Sequence, residues 1–152
     1  MKKISALILI FVLALASAAV ASEPEDVVRD QIKDLLFEYK DAYNLRDFNA
    51  VRALYTEDAL VMSFPCNSDK EVFFKEFSDS LPQCSSYWVE AAFKLRLFKI
   101  TSFSVEGDKC IARINWDYRD NMNRGKFNPS FEFTKVDGKW KISRENYGRK
   151  TE

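Results

Sequence analysis

Asn44-Leu45-Arg46-Asp47-Phe48-Asn49-Ala50-Val51-Arg52-Ala53-Leu54-Tyr55-Thr56-Glu57-Asp58-Ala59 is the stretch on which the fold turns. On its N-terminal side, Val28, Ile32, Leu35, Leu36, Tyr39, Ala42 and Tyr43 recur at helical spacing with charges between them, which predicts an amphipathic helix over about 25–45. Asp47 then stands where a helix N-cap is wanted, ahead of a short second helix with Phe48, Val51, Leu54 and Tyr55 inward. Glu57 and Asp58 read as a tight turn. Leu60-Val61-Met62-Ser63-Phe64 reads as a strand stopped by Pro65.

Beyond this stretch the period changes. Ser68-Asp69-Lys70-Glu71 has the form of a capping box and predicts a third helix, with Val72, Phe73, Phe77 and Leu81 inward and Pro82 at its end. Residues 86–98 fit either period. From Lys99 onward the signal is β: a strand to the Glu106-Gly107-Asp108 turn, then Cys110, Ala112, Ile114, Trp116 and Tyr118 alternating along a long strand. Asp120 to Gly125 is a polar turn. Phe127, Phe131 and Phe133 mark the next strand, and a second tight turn at Asp137-Gly138 leads to a last strand opening with Trp140 and Ile142. Helices first and a meandering sheet afterwards make an α+β single domain.

The N-terminus is read separately. Lys2 and Lys3, the apolar run Ile4 to Ala16 and Ala19-Val20-Ala21 form a signal peptide over 1–21, leaving a single domain over 22–152 in the periplasm or outside the cell. A retained membrane anchor is the alternative; the mature protein itself is not expected to insert into a membrane. The whole chain has 23 basic and 23 acidic residues; without Lys2 and Lys3 the remaining 131 residues carry a net charge of −2. No basic run suggests nucleic-acid binding. The chain has no histidine, so Ser-His-Asp and Cys-His catalysis, histidine metal sites and imidazole acid–base chemistry are excluded. No metal site or cofactor is expected. Cys66 and Cys84 flank the predicted third helix and can form a disulfide in an oxidising compartment or remain free thiols, whereas Cys110 reads as a small buried hydrophobe.

The stretch 44–59, together with the closing Asp137-Gly138-Lys139-Trp140-Lys141-Ile142, resembles the nuclear transport factor 2-like superfamily, including its ketosteroid isomerase and SnoaL-like branches. The resemblance spans 25–147. It implies a cone-shaped, cystatin-like roll: three N-terminal helices packed on a curved, antiparallel or mixed sheet, with a pocket between. In the isomerase branch it implies an oxyanion-donor tyrosine, matched here by Tyr39, and a carboxylate base, whose position is Ser63 here. Serine with no adjacent base cannot abstract a carbon-bound proton at neutral pH. No inward Asp or Glu stands out, and no catalytic residue is assigned. A buried carboxylate beside Tyr39 would restore the missing half. Related folds pair through the sheet, which implies a homodimer.

The 21 aromatics of the chain beyond residue 21 are a heavy load for one small core. The candidate ligand-binding residues are Tyr39 and Tyr43 on the first helix, Ser63, Trp116 and Tyr118 on the long strand, and Arg144 and Asn146. The last two follow from period-two alternation after Trp140 and Ile142; a bulge or strand end there would instead leave Arg144 in solvent. The expected function is non-catalytic binding of a small, largely apolar ligand in an aromatic-lined pocket. The alternatives are a protein-interaction or dimerisation module using Arg113, Asn115, Asp117 and Arg119 on the outer sheet face, and an isomerase, cyclase or hydrolase with an unidentified base.

Overall fold

The computed structural model describes residues 23–62, 71–74 and 92–148. The segments 1–22, 63–70, 75–91 and 149–152 lie outside the described residues, and with them the leader, Ser63, Cys66, Cys84 and most of the predicted third helix.

Helix α1 spans Glu25–Leu45, as the spacing predicts, and all seven of its apolar-period residues are buried. Glu25 and Asp26 place negative charge in its first turn, where the helix dipole favours it. It ends at Arg46, whose φ of 60° puts it in the left-handed region. Asp47 caps α2 (Phe48–Ala53) by accepting from the Ala50 N–H at 3.0 Å. Seven strands follow: β1 (Tyr55–Met62), β2 (Glu71–Phe73), β3 (Lys94–Glu106), β4 (Lys109–Arg119), β5 (Arg124–Phe127), β6 (Ser130–Val136) and β7 (Lys139–Asn146). The sheet order is β2-β1-β7-β6-β4-β3, with β5 paired to β4. All pairs are antiparallel except β1 with β7. The fold is therefore α+β, with the long helix on a curved mixed sheet. Two register shifts within β3 help to bend that sheet. The helix face closes over Ala112, Ile114 and Trp116 of β4, Phe131 and Phe133 of β6 and Ile142 of β7, all at 1% exposure or less. Burying a side chain such as Ile32 or Leu36 is worth roughly 1.5–3 kcal/mol.

Three local expectations change. Glu71–Phe73 is a strand against β1, and Phe73 is half-exposed rather than inward. Val72-Phe73-Phe74 is β-branched and aromatic, and a free sheet edge decides its period. Glu57 and Asp58 do not form a turn; they are exposed positions within β1, which begins at Tyr55. The stretch with Phe127, Phe131 and Phe133 is two strands, because Pro129 cannot donate to the ladder.

A polar latch joins the end of α1 to the start of β3. Asn44 donates to the Leu95 carbonyl at 2.8 Å and accepts from the Leu95 N–H at 2.9 Å, and Arg46 donates to the Phe93 carbonyl at 2.8 Å. Asn44→Ala leaves both Leu95 backbone groups without their partner, and is expected to lower stability by about 1–3 kcal/mol. Urea unfolding with an unchanged m-value and a lower midpoint is the predicted result.

Candidate functional site

The last strand carries the decisive residue. Along β7, Trp140 and Ile142 are buried as alternation requires. Between the pairs Phe133↔Ile142 and Glu132↔Arg144 the register shifts by one, leaving Ser143 as an extra residue. A bulge of this kind inverts the face of everything after it. Arg144 and Asn146, expected inside, therefore leave the inner face. The Arg144 guanidinium sits 3.6 Å from the Glu132 carboxylate, and Asn146 is half-buried, with its side-chain oxygen accepting from the Gly148 N–H at 2.8 Å. Glu145 turns inward instead and is completely buried, the one charged residue so placed among the described residues.

Three phenols converge on the Glu145 carboxylate. Tyr39 of α1 and Tyr147, just beyond β7, both donate to Oε1 at 2.6 Å. Tyr55, the first residue of β1, donates to Oε2. The hydroxyls of Tyr39 and Tyr147 are 3.1 Å apart. No Lys or Arg pairs with this carboxylate among the described residues. Burial raises the Glu145 carboxyl above its ordinary range, and the three phenol donors pull in the opposite direction. Burial, with the neighbouring carboxylate, holds Tyr39, Tyr55 and Tyr147 well above the usual phenol value, so all three remain protonated donors at neutral pH.

Aromatic rings surround this centre. The Tyr39 ring stacks on Trp116 at 5.6 Å and lies 4.6 Å from Tyr43, which is also buried. Trp116 is core, and its indole N–H has no hydrogen-bond acceptor among the described residues. Tyr55 stacks on Phe74. A second, only partly buried group runs outward from Tyr147. Phe127 meets Tyr147 edge-on at 5.8 Å, Tyr118 stacks on Phe127 at 4.5 Å, and Phe93 stacks on Tyr118 at 5.3 Å. Gly125 makes this stack sterically feasible: a Cβ there would sit 2.6 Å from the Tyr118 ring.

Of the sequence candidates, the structure brings Tyr39, Tyr43 and Trp116 together around one centre and places Tyr118 in the outward stack. Glu145, Tyr55, Tyr147, Phe93 and Phe127 were missed. Glu145 lies one residue out of phase with simple alternation, and Tyr55, at a helix–strand junction, fits helix packing by its spacing alone. Cys110 is buried, and burial pushes its thiol up to about 12. On the outer sheet face Arg113 and Arg119 are exposed, while Asn115 and Asp117 are half-buried. Among the described residues no group of acidic and cysteine side chains could hold a metal ion. No helix among them is long and apolar enough to cross a membrane.

No family model matches the chain, and no curated protein matches it. Solved structures do. An NTF2-like protein of unknown function from Shewanella oneidensis superposes with a TM-score of 0.62 at 18% identity, covering 78% of this chain and 97% of that one. A domain of unknown function with a cystatin-like fold from Nostoc punctiforme gives a TM-score of 0.66 at 17% identity, covering 82% and 78%. A protein of unknown function from Mycobacterium tuberculosis gives 0.62 at 16% identity, covering 80% and 76%. Likeness at such identities speaks to architecture, and function has to be argued from the site. This chain has the nuclear transport factor 2-like fold, an α+β roll of the cystatin-like kind.

Proposed function

We propose that this chain is an exported, non-catalytic domain that binds a small, largely apolar ligand between α1 and the sheet. One observation carries the proposal. The partly buried stack of Phe93, Tyr118, Phe127 and Tyr147 is continuous with a fully buried carboxylate and its phenols. Flat apolar walls leading to a few convergent polar groups are what small-molecule sites are made of. Export rests on the leader-like residues 1–21. Self-association through the outer sheet face rests on the half-exposed Ile111 between the charged residues Lys109 and Arg113.

A ligand held at 100 times its Kd stabilises the folded state by about 2.7 kcal/mol. A panel of small aromatic compounds is therefore expected to raise the melting temperature of the protein. Tyr118→Ala and Phe127→Ala should weaken that rise without unfolding the chain. No shift with any compound would contradict the proposal.

Acid–base catalysis is the second reading, favoured by the buried Glu145 carboxyl beside Tyr39. Against it, Glu145 is completely buried, and its three phenol donors pull against the rise that burial gives its carboxyl. Conversion of a β,γ-unsaturated ketosteroid to its conjugated isomer, lost in Glu145→Gln, would support this second reading; the binding reading predicts no turnover.

The raised Glu145 carboxyl also fixes the sign of a pH effect. In the folded state it holds its proton to higher pH than in the unfolded chain, so the stability it contributes is present below about pH 4.3 and is lost as pH rises through the raised value. The melting temperature of the wild type minus that of Glu145→Gln is expected to fall as pH increases from about 4 towards neutrality. A difference that grows with pH would show that the phenol donors outweigh burial.

A further inference from the structure

We infer that the ligand of this site is a cation: an aromatic or otherwise apolar body carrying a protonated amine that pairs with Glu145. The inference rests on the binding reading above and names the class of its ligand. A carboxylate offers about four acceptor directions. Here Oε1 receives Tyr39 and Tyr147, while Oε2 receives Tyr55 alone, so Oε2 retains acceptor capacity. Among the described residues no lysine or arginine pairs with Glu145, and the groups that donate to it there are neutral phenols. A buried charge without a counter-charge is costly, and neutral donors offset only part of that cost. An ammonium would supply both the missing donor and the missing charge, in a charge-assisted hydrogen bond roughly twice as strong as a neutral one.

The surroundings suit the same occupant. Tyr147 touches the carboxylate, and Phe127, Tyr118 and Phe93 follow from it ring by ring as an aromatic approach, whose electron-rich rings attract cations. Anionic ligands meet the opposite condition, because a second negative charge beside Glu145 would be repelled in a low-dielectric site. An arriving ammonium favours the ionised carboxylate, and any proton that Glu145 holds beforehand is released at the expense of affinity.

Three probes of one shape test this: phenethylamine, phenethyl alcohol and phenylacetate, titrated by calorimetry at neutral pH against the full protein and Glu145→Gln. The expected result is that the amine binds at least tenfold tighter than the alcohol, about 1.4 kcal/mol, and that phenylacetate binds weakest. In Glu145→Gln the amine preference should vanish while the alcohol still binds. Alcohol binding as tight as the amine in the wild type, or an amine preference that survives in the variant, overturns the cation inference and leaves the aromatic site standing. If none of the three binds, the binding reading falls with it. The wild-type ranking decides the matter even if Glu145→Gln does not fold.

Discussion

A carboxylate taken fully out of water sits at the centre of this molecule, and the arrangement of the chain around it follows from what that carboxylate requires. Burying the Glu145 charge costs several kcal/mol after relaxation. The three phenol hydrogen bonds to Glu145 offset part of that cost. The donors come from α1, from the start of β1 and from the residue after β7. One group thus fixes the helix, the parallel β1–β7 pair and the end of the sheet relative to one another. Loss of any one donor would leave charge less compensated in a dry interior, which makes the cluster a specific constraint on the fold.

That constraint depends on a single extra residue. Ser143 interrupts the β6–β7 register, and its hydroxyl donates to the Glu132 carbonyl at 3.1 Å. Without the bulge, strict alternation would send Arg144 into the core and Glu145 to the surface. With it, Arg144 reaches the Glu132 carboxylate outside, and the core receives a group that tyrosines can satisfy. The Asn44 and Arg46 latch works at the opposite end of the pattern, setting where β3 begins and so where Phe93 stands beside Tyr118. Gly125 finishes the arrangement by letting the Tyr118 ring lie against the backbone of β5.

These particulars explain what could be read from the sequence. The period of α1, the Asp47 cap and the two tight turns at Gly107 and Gly138 are signals within a few residues of one another, and each has a local physical cause. The resemblance in 44–59 and 137–142 carried the fold for the same reason. The site was legible only where its residues obey a simple period: Tyr39, Tyr43 and Trp116 do. Glu145 does not, because a bulge leaves no residue-type signature as ordinary as Ser143. Tyr55 was hidden by standing at a helix–strand junction, where its side chain fits either element. Glu71–Phe73 takes its conformation from the β1 edge rather than from its own composition.

The central claim, that a buried Glu145 carboxylate is held by phenols from three parts of the chain, can be observed directly by proton NMR of tyrosine hydroxyls. Short hydrogen bonds to a buried carboxylate shift such protons far downfield and shield them from exchange with water. The account predicts slowly exchanging, downfield hydroxyl protons assignable to Tyr39, Tyr55 and Tyr147, all absent in Glu145→Leu. Hydroxyls that exchange freely in the wild type, or downfield signals that persist without the carboxylate, would contradict it.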